Sequence, residues 1–194
     1  MRIIAGRYKG RRLLPVPGDH VRSTADRVKE TLFNILMHDA PNAIVLDLFC
    51  GSGALGLEAL SRGAEAVVFV DESPKSLRKT VENVKLVGAE SRMTTVRSDA
   101  LTYLRSAGKR GALFTLIIAD PPYGDGWSAK TLRGVAGSSC RAVDGVLVIE
   151  HHKKDDPGAA PGGFSLWTTR RFGDTVLTFW RWGADAPADN SEES

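Results

Sequence analysis

The sequence has 194 residues, enough for one domain, because a chain of this length buries roughly 70% of the surface that it exposes when unfolded. Its 42% hydrophobic and 25% charged residues are typical of a globular protein, and neither a membrane-spanning run nor a secretory leader is evident. Two cysteines and a net charge of +3 exclude a disulfide framework and a strongly acidic character, so we expect a cytoplasmic protein with no bound metal.

The first 20 residues are the most basic part of the chain. Residues 1–30 carry eight lysines and arginines against three acids, whereas the remaining residues have a net charge of −2. This asymmetry favours a phosphate backbone as partner, although a merely solvated tail has the same composition. We predict a nucleic-acid-binding arm or hairpin over residues 1–20, with strand-like pieces at 2–5 and 12–14. Its candidate contact residues are Arg2, Arg7, Tyr8, Lys9, Arg11 and Arg12, of which Tyr8 offers a ring for base stacking.

After the arm, predicted helices and strands alternate. The capping box Ser23-Thr-Ala-Asp26 opens a helix that is expected to end near Pro41. Apolar runs predict buried parallel strands at 43–49, broken only by Asp47, and at 66–70, 114–119 and 145–149. With a short strand at 93–97 they make five such strands. Helical spacing, N-caps and terminal glycines predict the further helices, at 53–62, 74–87, 100–106 and 128–141. The third predicted helix is expected to bury Leu77, Val81 and Val84.

The C-terminal part is predicted to end the sheet differently. The stretch 153–163 is rich in glycine and proline and is expected to be a flexible loop. Gly173-Asp174, between two apolar stretches, is a two-residue hairpin signal. The whole pattern predicts an α/β fold over residues 21–183, a doubly wound, mostly parallel sheet with an antiparallel C-terminal hairpin. The acidic stretch 184–194 lacks large apolar residues and is expected to be disordered.

The turn after the first buried strand carries a cofactor signal. Gly51-Ser-Gly53-Ala-Leu-Gly56 matches the dinucleotide pattern G-x-G-x-x-G, in which glycines let the backbone turn tightly beside a ligand. Asp47 comes before these glycines, and its carboxylate would repel the pyrophosphate of NAD but attract the ammonium of a methionine moiety. The turn therefore favours S-adenosylmethionine, with NAD as the alternative cofactor.

Carboxylates follow four successive predicted strands, at Asp47, Asp71, Asp99 and Asp120. In doubly wound sheets, ligands bind outside the carboxyl ends of the strands. Acids also favour the helix N-termini that follow such strands, which is an ordinary structural explanation for any one of them. Their coincidence at all four strands favours a ligand site, in which Asp71 is placed to bind ribose hydroxyls.

Asp120-Pro-Pro-Tyr123 follows the fourth strand. Methylating an exocyclic amino group of a base requires the lone pair of the nitrogen to turn toward the methyl group, out of conjugation with the ring. Hydrogen-bond acceptors for the two N–H groups of this nitrogen favour that pyramidal geometry. The Asp120 side chain and a carbonyl of Asp120 or Pro121 offer such acceptors, the two prolines stiffen the loop, and Tyr123 offers a face for an unstacked base. The motif resembles that of enzymes that methylate adenine N6, cytosine N4 or guanine N2, so it predicts the atom type and leaves the base open.

Three further residues are assigned no chemistry. Cys50 is a strand-end thiol, and amino methylation needs no covalent nucleophile, so we expect a buried, structural role. His151 and His152 have no neighbours in the sequence at metal-ligand spacing and are interpreted as ordinary loop residues.

Four stretches together carry a family resemblance: residues 2–13, 22–34, 46–62 and 120–123. The glycine turn resembles motif I of the class I S-adenosylmethionine-dependent methyltransferases. The chain as a whole, apart from its tail, resembles the ribosomal small-subunit methyltransferase D family. It departs from the family pattern at Ser23, where a proline is common, and has Tyr123 where some relatives have phenylalanine.

The resemblance implies a Rossmann-like, seven-stranded sheet and transfer of a methyl group from S-adenosylmethionine to N2 of one guanine in 16S ribosomal RNA. The substrate would be a small-subunit or assembly-intermediate particle, and we expect the enzyme to be a monomer. The implied cofactor-binding residues are Asp47, Phe49, Gly51, Ser52, Gly53, Asp71, Glu72, Asp99 and Ala100. The implied catalytic residues are Asp120, Pro121, Pro122 and Tyr123, and the residues implied beside cofactor and target base are Arg22, Thr24 and Arg27. Among the cofactor residues, Asp47 is implied at the ammonium, Asp71 on the ribose, and Asp99 on the adenine.

Two other functions are compatible with parts of this pattern. An adenine-N6 methyltransferase acting on DNA or RNA shares the cofactor turn and the Asp-Pro-Pro-Tyr motif, but a DNA enzyme usually carries a separate target-recognition region, for which we see no room after Tyr123. A non-catalytic RNA-binding protein would keep the basic arm but has no need of a carboxylate at each strand end.

Overall fold

The computed structural model describes residues 1–16 and 24–183, so the predicted tail at 184–194 lies outside the described residues. The chain divides into two compact units, Met1–Ala100 and Leu101–Ser194. Among the described residues, every helix falls short of the length and hydropathy that crossing a bilayer requires.

In the first unit, three strands alternate with helices. Its elements are α1 (Thr24–Ile35), β1 (Ile44–Leu48), α2 (Ala54–Ser61), β2 (Ala66–Asp71), α3 (Pro74–Val87) and β3 (Met93–Arg97). β1 pairs with β2, and β2 with β3, both in parallel. Leu46, Leu48 and Phe69 are fully buried, as expected of strands in a parallel sheet, so the apolar runs predicted β1 and β2 correctly. β3 forms where it was predicted, but its residues are half-buried or exposed, so the prediction of a buried strand there is wrong.

Helix ends in the first unit follow local signals only in part. The Ser73 hydroxyl accepts a hydrogen bond from the Ser76 N–H at 3.3 Å, and Gly88 ends α3 in the left-handed conformation, both as predicted. α1 ends at Ile35, earlier than the predicted stop near Pro41, and continues as turns. Met37 is 60% exposed, so a longer helix would bury little more apolar surface. The predicted cap residue of α1, at position 23, lies outside the described residues.

The basic arm is docked on the first unit. Arg2 and Arg12 form an antiparallel bridge, so the predicted strand-like pieces meet as the two sides of a short hairpin. Ile3 is fully buried. A side chain at Gly6 would lie 1.9 Å from the Ser61 carbonyl oxygen, so only glycine allows the arm to approach α2 this closely.

The second unit contains parallel and antiparallel strands. Its elements are α4 (Ala100–Ala107, which begins at the last residue of the first unit), β4 (Phe114–Ala119), α5 (Trp127–Ala136), β5 (Arg141–His152), β6 (Phe164–Phe172) and β7 (Thr175–Trp182). β4 and β5 are parallel, whereas β7 pairs antiparallel with both β5 and β6. The seven strands have the order β3-β2-β1-β4-β5-β7-β6, which confirms the predicted mixed sheet with its C-terminal hairpin.

The predicted C-terminal end of α5 is wrong. The helix was expected to continue to Arg141 but ends at Ala136, where Gly137 follows as the cap. The Ser138 hydroxyl then donates to the Val135 carbonyl at 2.8 Å and satisfies one of the terminal helix acceptors. Serine competes in this way with the helical backbone, an effect that apolar spacing does not show.

The predicted bounds of the fifth strand are also wrong. β5 begins at Arg141, which pairs with Phe114 of β4, and it extends to His152 because β7 pairs with it from Gly145 to His152. His151 and His152, which were interpreted as loop residues, are therefore strand residues. The loop itself begins directly after them and occupies residues 153–163, as predicted.

Candidate active site

The turn between β1 and α2 has a conformation that favours glycine. Gly51 and Gly53 have φ angles of 55° and 78°, in the left-handed region, and Phe49 shares this region with a φ of 60°. A side chain at Gly53 would lie 2.8 Å from the Thr80 methyl group, whereas one at Gly51 would meet no described atom within 4 Å. Gly53 is thus required for packing against α3, and the open space at Gly51 fits the close approach of a ligand.

Two of the predicted cofactor carboxylates contact this turn. Asp47 lies within β1 with 1% of its surface exposed, and its Oδ2 accepts a hydrogen bond from the Gly56 N–H at 2.9 Å. The Asp71 carboxylate, at the end of β2, accepts hydrogen bonds from the N–H groups of Gly51 at 2.9 Å and Ser73 at 2.8 Å. Both carboxylates therefore stabilise backbone turns, and both lie at the glycine-rich segment where a ligand was predicted.

The other predicted cofactor residues follow neighbouring strand ends. The Ser98 N–H donates to the Asp71 carbonyl at 3.2 Å, so the segment that carries Asp99 and Ala100 begins beside the end of β2. Asp99 is half-buried, Ala100 is buried at the start of α4, and Glu72 is exposed. The first unit thus assembles these predicted residues around the carboxyl ends of its strands.

α3 supports the glycine turn through two polar side chains that sequence analysis missed. The Thr80 hydroxyl donates to the Gly51 carbonyl at 3.0 Å, and the Asn83 Nδ2 donates to the Ser52 carbonyl at 2.9 Å. Both side chains are fully buried. Because these bonds fix two successive carbonyls of the turn, they hold its remaining groups in place for a ligand.

The predicted buried face of α3 is correct only for Val84. Leu77 and Val81 are half-buried. The side chains that share the buried face with Val84 are Ser76, Thr80 and Asn83. A polar stripe at helical spacing is therefore the signal that could have identified the supports of the turn.

Asn83 also joins the arm to the glycine turn. Its Oδ1 accepts from the Leu14 N–H at 2.8 Å, and its Nδ2 donates to the Leu14 carbonyl at 2.9 Å, beside the bond to Ser52. The Ser52 hydroxyl in turn lies 3.7 Å from the Met1 sulfur. A single buried amide thus ties the residues after the hairpin to the predicted cofactor site.

Glu58, on α2, anchors the start of the arm. Its fully buried carboxylate accepts hydrogen bonds from the N–H groups of Ile4 at 2.8 Å and Ala5 at 3.0 Å. It also forms ion pairs with Lys29 at 3.4 Å and Arg62 at 2.9 Å. The Lys29 side chain is 5% exposed, and burial lowers the pKa of its ammonium more than the Glu58 carboxylate raises it. Sequence analysis missed this cluster because its members have no common local pattern.

The predicted RNA contacts differ in their surroundings. Arg7, Lys9 and Arg11 are exposed, as are the other arm cations Arg2 and Arg12. Arg27 is also exposed, on α1, and the Arg2 guanidinium lies 3.3 Å from the Asp26 carboxylate. Tyr8 differs from these residues because it is half-buried and its hydroxyl accepts a hydrogen bond from Arg92 Nη2 at 2.5 Å. Arg22 and the side chain of Thr24 lie outside the described residues. The exposed cations of the arm are thus available to a phosphate backbone, whereas Tyr8 mainly fixes the arm to the first unit.

The structure agrees with a structural role for Cys50. The thiol is 7% exposed, and its sulfur lies 3.6 Å from the Thr80 hydroxyl. Burial, and then the nearby charge of Asp47, raise the pKa of the Cys50 thiol, so it stays protonated and unreactive near neutral pH. Within the described part of the chain, no group of three or more His, Cys, Asp or Glu is placed to hold a metal ion.

The Asp-Pro-Pro-Tyr corner belongs to the second unit and directly follows β4. Asp120 is exposed, Pro121 is buried, and Tyr123 has 41% of its surface exposed. The Tyr123 ring lies 5.6 Å from the His152 ring at an interplanar angle of 57°, and its hydroxyl is 3.4 Å from the Thr175 hydroxyl. The corner therefore presents a carboxylate and a supported aromatic ring to solvent.

A family model described as Conserved hypothetical protein 95 matches residues 1–181. The chain belongs to this family. The chain is 30% identical to the Ribosomal RNA small subunit methyltransferase D of Escherichia coli strain K12 over 190 residues. This alignment covers 97% of this chain and 93% of that protein. The resemblance to the methyltransferase D family is thereby confirmed.

Solved structures of methyltransferases are similar to this chain in fold. The candidate methyltransferase yhhF from Escherichia coli has a TM-score of 0.83 at 30% identity, over 95% of this chain and 99% of that one. The candidate methyltransferase SMU.776, solved with SAH, has a TM-score of 0.69 at 16% identity, over 83% of this chain and 50% of that one, and shows the shared fold. The class I fold is confirmed, and the protein is an S-adenosylmethionine-dependent methyltransferase.

Proposed function

We propose that this methyltransferase modifies small-subunit ribosomal RNA at the exocyclic N2 of a guanine in 16S ribosomal RNA. The observation that carries the proposal is the corner Asp120-Pro-Pro-Tyr123, with its exposed carboxylate and half-exposed ring. The Escherichia coli relative that matches almost the whole chain is named for methylation of small-subunit ribosomal RNA. The proposal includes a monomeric enzyme, a cytoplasmic location and a particle rather than naked RNA as the substrate.

The cofactor side of the proposal is the glycine turn of the first unit. S-adenosylmethionine supplies an electrophilic methyl group on a sulfonium when it is bound. The buried Asp47 carboxylate carries charge opposite to that of the methionine ammonium, and Asp71 offers oxygen acceptors to ribose hydroxyls. The remaining residues of this side are Phe49, Gly51, Ser52 and Gly53 at the methionine and ribose, and Glu72, Asp99 and Ala100 toward the ribose and adenine.

The acceptor side is the Asp-Pro-Pro-Tyr corner. The Asp120 carboxylate accepts one N–H of the target amino group, and a backbone carbonyl of Asp120 or Pro121 accepts the other. This arrangement favours a pyramidal nitrogen and stabilises the positive charge that develops on it. Pro121 and Pro122 fix the acceptors in advance, and the Tyr123 ring stacks on the extruded base.

The RNA is held by basic residues outside the reacting centre. Residues 1–20 act as the RNA-binding arm of a catalytic domain at 21–183. The exposed guanidinium and ammonium groups of the hairpin contact phosphates and position the RNA without reading its sequence. Arg22, Thr24 and Arg27 are proposed beside the cofactor and the target base.

Methyl transfer to small-subunit particles tests the proposal. Particles isolated from cells that lack this protein are incubated with the purified enzyme and isotope-labelled S-adenosylmethionine, and the labelled nucleotide is mapped. We expect one labelled guanine in 16S ribosomal RNA, modified at N2, and labelling about 10²–10³-fold slower with an Asp120→Ala variant. Label on adenine or on protein would contradict the proposed substrate.

A further inference from the structure

A cavity of about 350 Å³ lies on one face of the C-terminal strands of the second unit. Side chains of β5, β6 and β7 form one wall, and the loop 153–163 covers it with the small residues Gly158, Ala159 and Ala160. Helices usually cover the faces of such a sheet, but here a glycine- and proline-rich loop takes that place and leaves space. The volume falls in the range of small-molecule sites, ~300–1,000 Å³.

Strand pairing arranges the wall into three rows across the strands. In order from the end of β5, the rows are His151–Val176–Arg171, Thr178–Thr169 and Trp180–Leu166. On β6 a register shift between Leu166 and Thr168 places Leu166 three residues from Thr169. Along β7 successive rows are two residues apart, so the first and third are separated by about 13 Å. This length is similar to that of an extended nucleoside monophosphate.

The chemistry of the wall changes along these rows. The first row has the Arg171 guanidinium, and the Lys153 ammonium lines the same end. The second row consists of two threonines, and the third of an indole and an aliphatic side chain. A cationic end, a hydroxyl-bearing middle and an apolar end are complementary to phosphate, ribose and base in that order.

We propose that this cavity binds one nucleotide unit that is distinct from the methylated base. The phosphate lies at Arg171 and Lys153. The ribose hydroxyls lie at Thr169 and Thr178, and the base lies at the apolar end. Bound in this way, the nucleotide has its charge beside Arg171 and Lys153 and its base against the Trp180 and Leu166 side chains.

The acidic groups near the cavity leave its basic end available. Asp156 lines the cavity, and its Oδ1 accepts a hydrogen bond from the Gly158 N–H at 2.8 Å. The Lys153 ammonium lies 2.8 Å from the Asp174 carboxylate, with 51% and 67% of these side chains exposed. Because an exposed ion pair contributes little stability, a phosphate can replace Asp174 as the partner of Lys153.

The cavity is adjacent to the proposed target-base corner. Tyr123 contacts His152 and Thr175, which are neighbours in the chain of the cavity residues His151 and Val176. Successive strand residues point to opposite faces, so the corner and the cavity lie on the two faces of the same strand ends. An RNA whose target base lies on Tyr123 can thus place a second nucleotide in the cavity. This RNA source rests on the proposed function, whereas binding of a free nucleotide does not.

A matched pair of arginine variants tests the cavity. Arg171→Gln removes a cation that lines it, and Arg170→Gln removes the same charge from the next residue, which pairs with Leu177 on the opposite face. Binding of the four nucleoside 5′-monophosphates to the full-length protein is measured by calorimetry. We expect at least tenfold weaker binding for Arg171→Gln and less than twofold change for Arg170→Gln.

A threonine pair gives a second test without a change of charge. Thr169→Val removes a hydroxyl from the middle row, and Thr168→Val removes one from the opposite face of β6. We expect several-fold weaker binding only for Thr169→Val. Absence of binding to the wild type at millimolar nucleotide, or equal losses within each pair, would overturn the proposal.

Methyl transfer to small-subunit particles distinguishes the two sources of the nucleotide. A higher KM for Arg171→Gln than for Arg170→Gln, at similar kcat, identifies an RNA nucleotide as the ligand. Equal KM values together with weaker monophosphate binding identify a free nucleotide. If the wild type does not methylate the particles, the proposed function fails, and the monophosphate titrations still decide whether the cavity binds a nucleotide.

Discussion

At the scale of single residues, the polar groups of the candidate site have structural partners as well as proposed chemical roles. Asp71 accepts N–H bonds from Gly51 and Ser73, so the carboxylate proposed for ribose also orders the turn. Thr80 and Asn83 hold the two carbonyls of that turn from behind. Substitutions at these positions therefore change both affinity and stability, whereas a substitution at the exposed Asp120 is expected to change catalysis alone.

Asp120→Ala is expected to lower kcat by about 10²–10³-fold, because it removes an acceptor for the amino group in the transition state. Binding of S-adenosylmethionine is expected to stay within a few-fold of the wild type. Single-turnover transfer and calorimetry measure the two quantities. Asp125→Asn removes an exposed acid from the same loop, at a φ of 54° that asparagine tolerates, and is the control, expected near wild-type activity. Equal loss of cofactor affinity would show that Asp120 supports the pocket and not the reaction.

Asn83→Leu is expected to weaken S-adenosylmethionine binding about tenfold, because the Ser52 carbonyl and both Leu14 backbone groups lose a buried partner. The free energy of unfolding should fall by about 1–3 kcal/mol or more. Calorimetry on the folded variant and urea denaturation test these values. Glu82→Gln, which changes an exposed partner of Lys79 on the same helix, should alter neither. A destabilised variant with unchanged cofactor affinity would contradict a role for Asn83 in positioning the turn.

At the scale of elements, the arm is a docked hairpin rather than a free basic tail. Its backbone donates to Glu58, its last described part is bonded to Asn83, and Lys29 donates to the Arg2 carbonyl. Deleting the arm would leave the buried Glu58 carboxylate without two of its donors, and removing partners of a buried charge costs several kcal/mol. Deletion therefore cannot separate RNA binding from folding, and neutral substitutions at exposed positions can.

The triple variant Arg7→Gln, Lys9→Gln, Arg11→Gln is expected to raise KM for the RNA substrate and leave cofactor affinity unchanged. Each lost phosphate contact should reduce the slope of log affinity against log salt by roughly 0.7–0.9. Filter binding across a salt series measures the slope. The control variant carries Lys75→Gln, Arg78→Gln and Lys85→Gln, which remove three exposed cations from α3. It should change the slope of log affinity against log salt less than the arm variant does. Equal slopes for the two triple variants would contradict a specific role of the arm.

At the scale of the whole molecule, stability is expected to depend on pH through His151. Burial lowers the pKa of this histidine below its ordinary value of 6.5, so the folded protein keeps it neutral while the unfolded chain takes up a proton. The unfolded state binds more protons below about pH 6.5, and the free energy of unfolding should therefore fall as the pH drops below that value.

Denaturation of the wild type and His151→Gln between pH 7 and pH 5 tests this dependence. The variant should lose less stability over this interval than the wild type, because its side chain does not titrate. His38→Gln changes an exposed histidine and should keep the wild-type slope. Parallel curves for wild type and His151→Gln would show that other groups set the acid limit of stability.

The sequence by itself determined the features that depend on neighbouring residues. Strand and helix alternation follows from local apolar periodicity, the glycine turn from positions that need a positive φ, and the corner at Asp120 from a rigid local motif. These patterns, with the family resemblance, predicted the class I fold, the cofactor and the glycine turn. The positions of the proposed catalytic residues were predicted from the same local patterns, and their roles stay proposals.

Only the tertiary structure decided what depends on residues that are distant in the chain. Glu58 anchors Ile4 across 54 positions, and Asn83 binds Leu14 across 69, so no local pattern indicates either contact. β5 continues to His152 because β7 pairs with it, and the wall of the cavity exists only once three strands are aligned. The physical reason is that buried polar groups require partners, and folding brings those partners from separate segments of the chain.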